Sequence, residues 1–301
     1  VRPTPGFLRG FDSQTILRNL TSLGLSAIRR GFYLQYFYHC PALRELKINN
    51  CKFDSQDTLP ASDTPRPQLH SLHLRADGLA QMRILEWMLT PEGAFDLTAL
   101  TTFITLDYTD EPEAYTWIQE VVKLCAPTLR DLMINPPTRL AGLSPVITPD
   151  YLLHPSTLSN LRFFTISIIQ DSVDYSNFIP WMKAFFSQFP SENRLEEIRI
   201  PCMFMGPEAA PGDLGPPIMA YNMESYDWNA LDTALDSHRL NKLQRVVFGI
   251  YDIYDQANGS ETLGPLLRGL LPRLNARGIL EIVKSETHGY LAKEERWWHI
   301  G

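Results

Sequence analysis

The sequence predicts an α/β fold, a curved parallel sheet with helices along its outer side. Three observations predict it. A short apolar motif recurs in order along most of the chain, apolar residues at helical spacing lie between its copies, and the composition supplies a core. Of 301 residues, 44% are hydrophobic and 20% charged, a balance that buries surface and excludes disorder as the dominant state.

The motif reads L-x-x-L-x-L with conservative apolar exchanges. It runs through Leu20-Leu23-Leu25, Leu43-Leu46-Ile48 and Leu69-Leu72-Leu74. It returns as Leu129-Leu132-Ile134, Leu161-Phe164-Ile166, Leu195-Ile198-Ile200 and Leu243-Val246-Phe248. A distorted copy from Leu100 through Phe103 to Leu106 falls between these sets, and Ile279 to Val283 is a half-copy. Successive leading residues lie 23, 26, 31, 29, 32, 34 and 48 positions apart. Self-similarity near a period of roughly 20 to 29 residues is the signature of a leucine-rich-repeat solenoid, here stretched by insertions. The expectation is one irregular domain over 1–301 with about eight to nine repeats. Residues 20–25, 43–48, 69–74, 129–134, 161–166, 195–200 and 243–248 are expected as parallel strands of one sheet.

The second copy is the cleanest. Cys51 stands at its ninth position, where the repeat takes Asn or Cys to satisfy backbone groups in the turn leaving the strand. Other copies place Asp77, Ile169 or Tyr251 there. Between strands, Ala114, Trp117, Ile118, Val121, Val122 and Cys125 share one helical face. Phe178, Trp181, Met182, Phe185, Phe186 and Phe189 do the same, as do Leu263, Leu266, Leu267, Leu270, Leu271 and Leu274. Met82, Leu85 and Met88 mark a shorter helix, and Trp228, Leu231 and Leu235 another. Residues 54–68, 135–157 and 201–222 lack periodicity and read as long loops over one rim. Helices cover one face of such a sheet and leave the other open.

The totals narrow the function. A net charge of −7 and a pI near 5.5 argue against nucleic-acid binding, which needs a basic surface. No apolar run approaches the roughly 18 to 20 residues that span a bilayer, so no membrane attachment is expected. Cys40, Cys51, Cys125 and Cys202 form no C-x-x-C pair and no metal-ligand spacing, and read as free, buried thiols of a reducing compartment. The sequons at Asn19 and Asn258 do not establish secretion. The chain begins at Val1 without methionine or a signal peptide, as a fragment or processed protein would.

No H-E-x-x-H, G-x-S-x-G, P-loop or G-x-G-x-x-G arrangement is present, so no catalytic residue, metal site or cofactor is expected. His70 and His73 are the close histidine pair and read as exposed, unliganded side chains. Asp107, Asp110, Glu111 and Glu113 read as the acidic start of a helix, where negative charge complements the dipole. Glu294-Glu295-Arg296-Trp297-Trp298 reads as a cap on the last repeat.

The phase of the repeat maps the open face. Residues between the core positions point there: Glu45, Lys47 and Asn49; Ser71, His73 and Arg75; Asp131, Met133 and Asn135. Later copies add Phe163, Thr165 and Ser167, then Glu197 and Arg199, then Arg245 and Val247. Arg, Met and aromatic side chains on an exposed face are the anchors that protein interfaces favour. Lys47, His73, Arg75, Met133, Phe163, Arg199 and Arg245 are therefore the candidate partner-binding residues.

His39-Cys40-Pro41-Ala42-Leu43-Arg44-Glu45-Leu46 resembles the C-P-x-L-x-x-L opening of repeats in F-box leucine-rich-repeat proteins. Cys125-Ala126-Pro127-Thr128-Leu129-Arg130-Asp131-Leu132 is a looser copy. The ending from Leu271 to Leu280 is similar to that of such proteins in mushroom-forming fungi. The resemblance implies an intracellular substrate receptor of a ubiquitin ligase. The F-box that docks such receptors has no counterpart ahead of Leu20, so the resemblance implies that role only if this chain is the remainder of a longer protein; if it is complete, a plain binding protein is left. The expected function is a non-catalytic scaffold binding a protein in the cytoplasm or nucleus. The alternative is a secreted or surface repeat protein that binds carbohydrate or a small ligand.

Overall fold

The computed structural model describes residues 17–28, 34–51, 66–76, 78–90, 93, 95–107, 112–134, 153–166, 168–169, 178–204, 227–252 and 259–285. Its frame is one parallel sheet. The strands are β1 (Ser22–Ser26), β2 (Glu45–Asn49), β3 (Ser71–Ala76), β4 (Thr102–Asp107), β5 (Asp131–Ile134) and β6 (Phe163–Ile166). They continue as β7 (Ile168–Ile169), β8 (Glu197–Phe204), β9 (Arg245–Asp252) and β10 (Leu280–Ser285). Neighbours in the sheet are neighbours in the chain, except that β6 and β7 lie one after the other against β8.

The alternation of side chains fixes this register. Leu23, Leu46, Leu72, Phe103, Leu132, Phe164, Ile198, Val246 and Leu280 stand opposite one another in a single row across the sheet. A one-residue slip would turn a strand's apolar set to the other face. Strands β2 to β6, β8 and β9 are entered the same way: the amides of Arg44 and Glu45 donate to the Thr21 carbonyl, and those of His70 and Ser71 to the Arg44 carbonyl. The turn after β2 closes as its residues suggest. Asn50 takes a positive φ of 51°, which asparagine tolerates, and the Cys51 thiol donates to the Asn49 carbonyl at 3.4 Å.

Helices lie in the connections. They are α1 (Gly78–Leu89), α2 (Pro112–Cys125), α3 (Phe178–Ser187), α4 (Trp228–Leu235), α5 (Gly259–Leu270) and α6 (Pro272–Ala276). Asp227 begins α4 by accepting from the Ala230 amide at 3.0 Å, a side-chain N-cap. Helix residues Ile118, Val121, Trp181, Met182, Phe185, Phe186, Leu231 and Leu267 join Leu46, Ile48, Phe164 and Ile198 in one buried cluster. The helices therefore cover one face of the sheet. Among the described residues no helix is long and apolar enough to cross a membrane.

Several expectations are corrected. In the distorted copy, Thr105 stands opposite Leu74 in the core register and Leu106 falls opposite Arg75 on the other face, because the strand alternates from Phe103. The loop placed at 201–222 starts later, since β8 runs to Phe204. Its remainder, like most of 54–68 and 135–157, lies outside the described residues, as do Asp110, Glu111 and the Trp297-Trp298 tail. The helix expected through Leu274 breaks at Leu271. Pro272 carries no amide hydrogen and instead opens α6, with Leu271 outside helical geometry at φ −122°. The helix expected through Phe189 ends at Ser187.

Candidate functional site

The face turned away from the helices carries all seven candidate side chains. Lys47, His73, Ile104, Met133, Thr165, Arg199 and Val247 form one row across the sheet. Phe163 and Arg245 lie in the next row with Glu45, Asp131 and Glu197, and Arg75 in a third with Asn49 and Leu106. The candidates nevertheless form two groups. Lys47 and Arg199 are five strand spacings apart, roughly 24 Å, with Ile104 and Met133 between them.

The first group is small and paired. Lys47 binds Glu45 at 2.9 Å, and Glu45 also accepts from Ser22 at 2.9 Å. These contacts hold the Glu45 carboxyl below its ordinary range. His73 is only partly exposed, contrary to the expectation of a free exposed ring. Its Nε2 shares a 2.9 Å hydrogen bond with the Ser71 hydroxyl. Burial, and then the Lys47 charge, push its pKa down to about 4, so the ring is neutral near pH 7. His70 is exposed.

The second group is a chain of charges. Arg199 donates to Glu197. Arg245 donates to Glu281 at 2.6 Å and lies 3.4 Å from the second Glu197 oxygen. Two guanidinium groups lie over the Phe163 ring, Arg162 at 5.4 Å and Arg199 at 5.7 Å from its centroid, within the range of cation–π attraction. Arg162 in turn holds Glu196 in a two-pronged pair at 2.9 and 2.7 Å. Asp131 is partly buried beside this chain. Desolvation pushes its carboxyl up to about 6, the Arg199 charge opposes this, and the Glu197 charge adds to it.

The open face is less open than the repeat phase implies. Ile104 and Val247 are 4% and 2% exposed, and Thr165 is 7% exposed, yet none of them belongs to the helix-side cluster. Val247 and Thr165 thus lie on the open face as the repeat phase expects, but are buried there and are not available contacts. Asp131 was legible as an open-face position but not as a distinct one, because what sets it apart is Glu197 and Arg199, more than sixty positions away. Among the described residues no three His, Cys, Asp or Glu side chains converge as metal ligands.

No protein-family model matches this chain, and no curated protein shows significant similarity to it.

Proposed function

We propose that the chain is an irregular leucine-rich-repeat solenoid whose curved sheet binds a protein partner, without catalysis, on its open face. The observation that carries this reading is the unbroken row from Leu23 to Leu280. It sets the strands side by side in chain order, which supports a repeating unit with the side chains between the core positions on a single preformed surface. A surface held by buried neighbours loses little ordering entropy on binding. Taken with its resemblance to F-box repeat proteins, the chain is the substrate-recognition part of a ubiquitin-ligase receptor in the cytoplasm or nucleus.

The test is a partner isolated on the immobilised chain, purified, and titrated calorimetrically. Arg75→Ala, Phe163→Ala and Arg199→Ala together are expected to weaken it strongly, since one true anchor contributes about 2 kcal/mol or more. Unchanged affinity in this triple variant, with loss of binding on altering residues 205–222, places the interface elsewhere.

A further inference from the structure

The open-face ion pairs leave one carboxylate over. Across β5 to β10 that face carries three carboxylates, Asp131, Glu197 and Glu281, against two guanidinium groups, Arg199 and Arg245. Both guanidinium groups are committed: Arg199 to Glu197, and Arg245 to Glu281 and Glu197. Among the described residues Asp131 takes part in no hydrogen bond or ion pair through its carboxylate; the Arg199 charge reaches it only at longer range. Beside it stand Met133, two positions along the same strand, and Phe163, its partner in register on β6. Both are partly exposed and apolar.

We propose that Asp131 receives the cationic end of a lysine or arginine side chain of a protein partner, with Met133 and Phe163 lying along its aliphatic stem. This rests on the reading of the open face as a protein-binding surface and names the chemistry that surface selects. A partly desolvated charge without a counter-ion is unfavourable in the free protein, and burial already weakens the acidity of this carboxyl. A partner's cation relieves that cost and completes the charge balance. The long aliphatic stems of lysine and arginine cover apolar neighbours while their heads stay polar. An inorganic cation would use neither Met133 nor Phe163, and Glu197, the nearest second carboxylate, is already engaged by two arginines. Among the described residues the charged groups that act on Asp131 are Arg199 and Glu197 from β8; β4 and β6 place Thr102, Ile104, Phe163 and Thr165 beside it.

The test uses three fluorescein-labelled nonapeptide pools, randomised among uncharged residues and carrying lysine, norleucine or glutamate at the centre. Binding is read by fluorescence anisotropy at pH 7.5. The lysine pool is expected to bind roughly tenfold more tightly than the norleucine pool. Asp131→Asn, which keeps the shape and removes the charge, is expected to bring the two within about twofold, chiefly by weakening the lysine pool. Lowering the pH to 5.5 is expected to shrink the preference in the parent chain and to change nothing in the Asn variant. Equal binding of the pools, no binding of any pool, or a preference that survives Asp131→Asn overturns the proposal. If the norleucine and glutamate pools bind and Phe163→Ala weakens both, the open face still binds protein and only its selectivity is misassigned.

Discussion

The Asp232 carboxylate, on α4, caps the helix that carries Leu274, accepting the Leu274 amide at 3.1 Å and that of Arg273 at 2.9 Å. Asp232 is fully buried. One side chain thus satisfies two of the amide groups that a helix start leaves without partners, and it ties α4 to α6. Asp232→Ala removes the partner of both donors, one of them the amide of the buried Leu274. A loss of about 2–4 kcal/mol is expected in urea unfolding. A change below about 0.5 kcal/mol would show that water replaces the carboxylate without cost.

The aromatic stack under β6 is the second point of fragility. Phe185 stacks on Phe164 at 4.6 Å between ring centroids and on Trp181 at 5.1 Å and 8°. All three side chains are buried. Phe185→Ala is expected to destabilise by about 3–5 kcal/mol, and Phe185→Leu by clearly less, because the cavity is smaller. Equal losses for the two variants, measured from urea midpoints at constant slope, would mean that stacking rather than volume sets the cost.

What the sequence made legible follows from range. Leu43, Leu46 and Ile48 announce a strand because their spacing is a local property, and the same phase put Lys47 and His73 on the other face correctly. Leu106 reads as the last core position of its copy because, without the partner strand, a leucine outweighs a threonine one position earlier, whereas the register puts Thr105 there. Pro272 was a local signal that the apolar spacing from Leu263 to Leu274 concealed. Asp232 and Asp131 could not be singled out at all. The first acts on amides more than forty positions on, and the second is distinguished only by Glu197 and Arg199 two strands away.

Cys40, Cys51 and Cys125 are free and buried. Burial pushes the Cys40 thiol up to about 11 and Cys125 to about 12, and raises Cys51 as well. The thiolate is the reacting species, so none of the three should react with an aromatic disulfide reagent at pH 8 in the folded chain. In a Cys202→Ser variant all three are expected to react only after denaturant is added. Rapid reaction of any of them in native buffer would place that thiol at the surface.

His73 and Asp131 are expected to give stability opposite dependences on pH. The His73 pKa falls from 6.5 when unfolded to about 4 when folded, so the unfolded chain binds the proton first. Its stabilising contribution is complete above pH 6.5 and is lost as pH drops towards 4. The Asp131 pKa rises from 3.8 to about 6, so here the folded chain binds the proton first, and stability from this group grows as pH falls from 6 towards 3.8. Other carboxylates titrate in the same interval, so each effect is read as the difference between variant and parent in urea unfolding from pH 7.5 to 4. His73→Gln, which can keep a hydrogen bond to Ser71, should lessen the acid loss by on the order of 1–3 kcal/mol. Asp131→Asn should be the more stable chain at pH 7.5, with an advantage of similar order that fades as the parent's carboxyl takes up its proton. If Asp131→Asn is less stable than the parent at neutral pH, then the carboxylate already has its counter-charge within the chain, and Arg199 is the residue that supplies it.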